Sequence, residues 1–157
     1  MADHRGPGGE AVYTRILVTL EHSPSDAAIL AHVRRLARHC GASVVLMHVA
    51  DGWAARYASA LTLRESEEIR DDRAYIERCR AELEADGLST EAVLASGNPC
   101  EEIVAAAERE GADLIAMATH GHRLLNDIVR GSVATEVRHR TMVPVLLVRA
   151  SPSPPAA

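Results

Sequence analysis

Five short, nearly uninterrupted apolar runs alternate with four segments of helical period, and this alternation constrains the fold more than any other feature. The runs are "RILVTL" from Arg15, "SVVLMHV" from Ser43, "STEAVLAS" from Ser89, "ADLIAMAT" from Ala112 and "VPVLLVR" from Val143. Between the first two, Ile29, Leu30, Val33, Leu36, Ala37 and Cys40 recur at helical spacing, with Ser23 or Ser25 as the expected cap and Gly41 as the stop. A long charged helix is expected from about Leu63 to Asp86, its buried stripe Ile69, Ile76, Cys79 and Leu83, closed by Gly87. "GNPCEEIVAAAERE" reads as a turn and helix with Pro99 near the start, and the last helix is expected to begin near Ser132. Strands this apolar must be covered on both faces, so they belong to a parallel sheet. Right-handed crossovers then give a single doubly wound five-stranded α/β domain with helices on both faces. Its expected limits are 14–150, after a flexible segment 1–13 and before a disordered, Pro-rich tail 151–157.

Composition removes several function classes. The formal net charge of −5 opposes non-specific binding to nucleic acid. Aromatic residues at 3% leave little for base stacking. No apolar run approaches the roughly 18 residues of a membrane span, and the first residues lack the apolar core of a signal peptide, so a cytoplasmic protein is expected. All 17 Lys+Arg residues are arginine. A Walker A loop or a protein-kinase site needs a lysine on the phosphates, so both are excluded. Cys40, Cys79 and Cys100 are far apart and read as structural thiols.

In an open α/β sheet, ligands collect at the carboxyl ends of the strands where strand order reverses. That places the candidate site at Thr19, Leu20 and Glu21, at His48 and Val49, and from Met117 to Gly121. After the fourth strand, Gly121 suits a positive φ, and nine residues later Gly131 and Ser132 precede a helical run. A helix start there would turn the Ser132 hydroxyl and the amides of Val133 and Ala134 toward an anion. The plainer reading of Gly131-Ser132 is an ordinary helix cap.

His22, His48, His120 and His122, with Glu21, map to the same sheet edge and are chemically able to hold a transition metal. Gly121 between two of them turns the chain, so no metal site is expected and these histidines read as cleft or loop partners. No catalytic residue is assigned: Ser132 lacks a G-x-S-x-G elbow. Asp51, Asp127 and Glu21 are the carboxylates placed to hold Mg2+ through a phosphate, though such residues are more often caps and solvated turns. Arg123 and Arg130 are either phosphate partners or solubilising charges.

These motifs together resemble the universal stress protein family, whose ATP loop has the pattern G-x2-G-x9-G-[S/T]. Here it reads Ala118-Thr119-His120-Gly121, nine residues, then Gly131-Ser132. The likeness runs from "RILVTL" through "GNPCEEIVAAAEREGADLIAMATHG" to "GSVATEVRHRTMVPVLLVR". It implies a cytoplasmic, dimeric α/β protein that binds adenine nucleotide, ATP above all, with Mg2+, in a stress response and with at most slow hydrolysis. By the same resemblance, Val49 presents its backbone to adenine, and Thr19, Leu20 and Glu21 lie near the adenosine moiety. Met117 and Ala118 run along the nucleotide; Gly121, His122, Gly131, Ser132 and Val133 surround the phosphates. Two positions depart from the family pattern. Ala118 stands for the first glycine, and the first strand ends Thr19-Leu20-Glu21 where proline and aspartate two apart are usual.

The apolar last strand, Val143 to Val148, is the expected homodimer edge, since an uncovered edge invites pairing. Two other functions compete with nucleotide sensing: a dimeric interaction module that has lost its nucleotide, and a slow ATPase.

Overall fold

The computed structural model describes residues 10–51, 62–119 and 128–150, with backbone alone at 51, 62–66 and 128–132. Among the described residues nine elements follow in order: β1 (Arg15–Leu20), α1 (Asp26–Cys40), β2 (Ser43–Asp51), α2 (Thr62–Ala85), β3 (Thr90–Gly97), α3 (Pro99–Glu110), β4 (Leu114–Thr119), α4 (Ile128–Arg140) and β5 (Val145–Arg149). The strands form one parallel sheet in the order β3-β2-β1-β4-β5. The expected architecture is therefore present, and strand order reverses between β1 and β4.

Alternating residues of each strand face opposite layers. Ile16, Val18, Leu20, Val44, Leu46, Leu114 and Ala116 pack with Ile29, Val33 and Ala37 of α1 and Ile76, Cys79 and Leu83 of α2. Leu17, Val45, Met47, Ile115 and Met117 pack with Cys100, Ile103, Ala106 and Ala107 of α3 and Ala134 and Val137 of α4. Two helices thus cover each face, which is why the strands carry so few polar residues. Cys79 and Cys100 are buried, and burial raises both thiols above their usual range, as inert structural cysteines require.

Three local expectations are corrected. Ile69 is 39% exposed although it lies on the α2 stripe. Between Ile69 and Ile76 that stripe turns polar at Asp72, which faces histidines rather than apolar core. Helix α4 begins at Ile128, four residues before Ser132, so Gly131 and Ser132 lie inside it. The amides left without an acceptor in a helix of those bounds belong to its first three residues; those of Val133 and Ala134 fall within the hydrogen-bonded ladder. At α1, Ser25 holds the cap position but its side chain makes no capping bond.

The amino-end edge of the sheet is tied by one anion and one cation. Asp113 accepts from the Thr14 amide at 2.8 Å, the Thr14 hydroxyl at 2.8 Å and the Arg15 amide at 3.0 Å. Arg15 donates from Nε to the Glu110 carbonyl at 2.7 Å and from Nη2 to the Glu91 and Glu110 carboxylates, each at 3.0 Å. Burial alone would raise the Asp113 carboxyl, but the Arg15 and Thr14 donors outweigh it and hold it below the usual carboxylate range. A lowered folded-state pKa stabilises above the unfolded value and is lost as pH falls through the folded one. Asp113→Ala should cost about 1–2 kcal/mol at neutral pH. In urea melts the gap from the parent should narrow below about pH 4; a gap constant from pH 7 to pH 3 would contradict this assignment.

Candidate functional site

The registered pairing of β1 with β4 stops at Val18↔Ala116, whereas β1 stays paired with β2 to Leu20↔His48. Beyond Val18 the two central strands are no longer joined, and a cleft of ≈ 630 Å³ opens at the switch point. Its lining includes Thr19, Leu20 and Glu21 from the end of β1, Val49 from β2, Met117 and Ala118 from β4, and Val133 from α4. Seven residues that the family resemblance assigns to the nucleotide therefore line one cleft, and His22, His48 and Ala134 line it with them. Gly121 and His122 lie outside the described residues, as do His120, Arg123 and Asp127. Gly131 and Ser132 are described only as backbone of α4. The floor is apolar, with Met47, Ile103 and Met117, while Glu68, Asp71 and Asp72 of α2 form an acidic wall.

The loop from β1 to α1 is shaped by Asp26. Its side chain, 1% exposed, accepts from the amides of Glu21 at 2.9 Å, His22 at 2.9 Å and Ser23 at 3.3 Å. The Tyr75 hydroxyl of α2 donates to the same carboxylate at 2.6 Å. Burial first, then the hydrogen bond and charge of Asp26, raise the Tyr75 phenol far above its usual range. Three converging amides force the backbone back on itself, and His22 adopts φ 57°. Among the described residues it is the one non-glycine with positive φ.

Above this loop stands a second array. His22 Nδ1 lies 2.7 Å from Asp72 Oδ1, and its ring stacks on Tyr75 with centroids 4.1 Å apart. His48 Nδ1 donates to the Leu20 carbonyl at 2.8 Å, which turns its Nε2 toward Asp72 Oδ2 at 3.4 Å. A carbonyl only accepts, so this bond fixes the proton on His48 Nδ1. Two of the four histidines weighed as metal ligands, His22 and His48, thus converge on a carboxylate. Among the described residues, no group of three or more His, Cys, Asp or Glu is arranged to hold a metal ion.

The Glu21 carboxylate is engaged locally: it accepts from the Ser25 hydroxyl at 3.2 Å, and Ser25 is linked to Ser23 at 2.6 Å. Ala118 lines the cleft with its methyl, where the nucleotide loop of the family pattern has glycine. Sequence reasoning missed Asp26, Tyr75 and the acids of α2. The signal for Asp72 was a carboxylate standing in an apolar stripe between Ile69 and Ile76.

Asp26→Ala would leave three loop amides without their acceptor and should cost about 2–4 kcal/mol in denaturant unfolding. Tyr75→Phe, which removes one donor, should cost about 1 kcal/mol. In a spectrophotometric titration, one of the three tyrosines should resist ionisation beyond the others, and Tyr75→Phe should abolish that late step.

Comparison with known proteins agrees with this geometry. The family model described as "Universal stress protein family" matches residues 12–149. A universal stress protein of Methanocaldococcus jannaschii, MJ0577, is 29% identical over 155 residues, covering 88% of this chain and 96% of its own. One of Thermus aquaticus is 32% identical over 140 residues, covering 88% of this chain and all of its own. The solved structure of MJ0577 superposes with a TM-score of 0.79 at 30% identity, over 90% of this chain and 99% of that one. The fold is shared, at 21% identity and a TM-score of 0.64, by an Archaeoglobus fulgidus universal stress protein solved in complex with dAMP, over 87% of this chain and 98% of that one. A further relative in fold, solved with cAMP, has a TM-score of 0.65 at 20% identity, over 88% of this chain and 98% of that one. Cleft, strand order and sequence match lead to one conclusion: the chain belongs to the universal stress protein family.

Proposed function

We propose that the chain is an adenine-nucleotide-binding sensor or effector of a cytoplasmic stress response, with ATP the favoured ligand. The observation that carries this reading is the cleft at the switch point. Its ≈ 630 Å³ falls in the range of small-molecule sites, and its apolar floor of Met47, Val49, Ile103 and Met117 suits a flat base. Further support comes from the relatives in fold solved with dAMP and cAMP. Mg2+ accompanies the phosphates in the reading that the family pattern implies, although no group of three or more His, Cys, Asp or Glu is arranged to hold a metal ion among the described residues. Gly121, His122, Gly131 and Ser132 are assigned to the phosphates by the family pattern, with the first-turn amides of α4, which have no acceptor within the helix, as the anion-favouring group.

A second reading, an interaction module without nucleotide, draws on Ala118 and on the engagement of Glu21 with Ser25. Mass spectrometry of small molecules released on denaturation, with calorimetric titration of ATP and Mg2+, separates the two. The first reading expects adenine nucleotide near one per chain. It also expects Ala118→Phe, which fills the floor, to weaken binding by at least about tenfold at unchanged fold. An empty release with no heat would favour the interaction module.

The assembly we propose is a homodimer through β5, whose outer edge is unpaired among the described residues and carries Leu147, 40% exposed. Leu147→Arg should convert a dimer to a monomer in light-scattering chromatography. A parent protein that elutes as a monomer would overturn the assembly.

A further inference from the structure

The cleft has two chemically different sides. Helix α2 covers one face of the sheet and lends Glu68, Asp71 and Asp72, while α4 covers the other face and lends Val133 and Ala134. A nucleotide carries its charge on the phosphates, so the acidic side repels that end and takes the uncharged nucleoside. A nucleoside offers hydrogen-bond donors, and His22 supplies an acceptor. Its Nδ1 is committed to Asp72 at 2.7 Å; a carboxylate there keeps the proton on that nitrogen and leaves Nε2 with a lone pair. Nε2 has no partner among the described residues, and the side chain, 36% exposed, lines the cleft.

We propose that His22 recognises the ribose of the bound nucleotide, its Nε2 accepting a hydrogen bond from a ribose hydroxyl, with Asp72 as its positioning residue. The inference rests on the nucleotide reading of the cleft. The apolar floor of Met47, Val49, Ile103 and Met117 suits the base, which leaves the sugar hydroxyls to the polar wall. Other acceptors on that wall are less suited to the task. Glu68 and Asp71 are exposed, where water competes for every hydrogen bond. The Glu21 carboxylate meets Ser25, and Asp72 is occupied by the two histidines. His22 presents a fixed acceptor: Asp26 accepts from its amide at 2.9 Å and holds its backbone at φ 57°, and its ring lies 15° from parallel on Tyr75, centroids 4.1 Å apart. Tyr75 is held in turn by its hydroxyl on Asp26 at 2.6 Å, so one buried carboxylate fixes both the backbone and the ring. An acceptor held in place before the ligand arrives gives up little entropy on binding. A site built to pair with a hydroxyl discriminates against the analogue that lacks it.

The test titrates ATP, 2′-deoxy-ATP and 3′-deoxy-ATP, each with Mg2+, into the full chain by calorimetry, for the parent, His22→Gly and Asp72→Asn. Loss of the hydroxyl that meets His22 should weaken parent binding about three- to tenfold, the range for one hydrogen bond. Glycine suits the positive φ, so His22→Gly should fold, bind ATP more weakly by a similar factor, and bind ATP and that analogue within about twofold of each other. Asp72→Asn keeps the shape of the side chain and lies outside the Asp26 clamp. Without a carboxylate on Nδ1 the ring takes either tautomer, so the discrimination should fall at unchanged fold. A merely structural His22 would lower affinity for all three nucleotides alike and leave their ratio standing. A parent that binds ATP and both analogues equally, or a His22→Gly variant that keeps the parent's ratio, overturns the ribose contact and leaves the nucleotide reading standing. Should His22→Gly not fold, an unchanged ratio in Asp72→Asn overturns the contact in its place. Failure of the parent to bind ATP overturns both readings.

Discussion

One buried carboxylate organises the ligand end of this molecule. Asp26 gathers three consecutive amides of the loop after β1 and the hydroxyl of Tyr75. A buried anion is tolerable only when its lone pairs are filled, and here the loop itself fills them. The left-handed turn at His22, the stacking of its ring and its approach to Asp72 all follow from that clamp. The carboxylate joins α1, the β1 loop and α2 through a single side chain, so the wall of the cleft and its floor are set together.

The strands and the order of elements were legible because burial on both faces leaves a continuous apolar record, as "RILVTL" shows. The cleft was legible at Thr19, Leu20, Glu21, Val49, Met117 and Ala118 because the ends of parallel strands are where such folds open. Asp26 was not, since an acidic residue at a helix start reads equally as a dipole partner. Asp72 sits among so many charges on α2 that its inward position is lost in composition. The start of α4 was misread because Gly131 disfavours helix by propensity alone; its flanking residues Ile128 to Arg130 nonetheless join the helix.

The two departures from the family pattern have different physical weight. Ala118 adds one methyl to the cleft, a steric change that a ligand shift of a fraction of an ångström absorbs. Glu21 adds a methylene to a carboxylate and with it the reach to meet Ser25. The first alters shape and the second alters where charge is held.

The strand that floors the cleft is also the neighbour of the edge. Met117 and Ala118 line the cavity, and the same two residues are in register with Leu147 and Val148 of β5. No layer of side chains insulates one surface from the other; a single rank of backbone hydrogen bonds separates them. A displacement of the β4 backbone at 117 and 118 to admit a bulkier occupant of the crevice therefore carries the outermost strand with it.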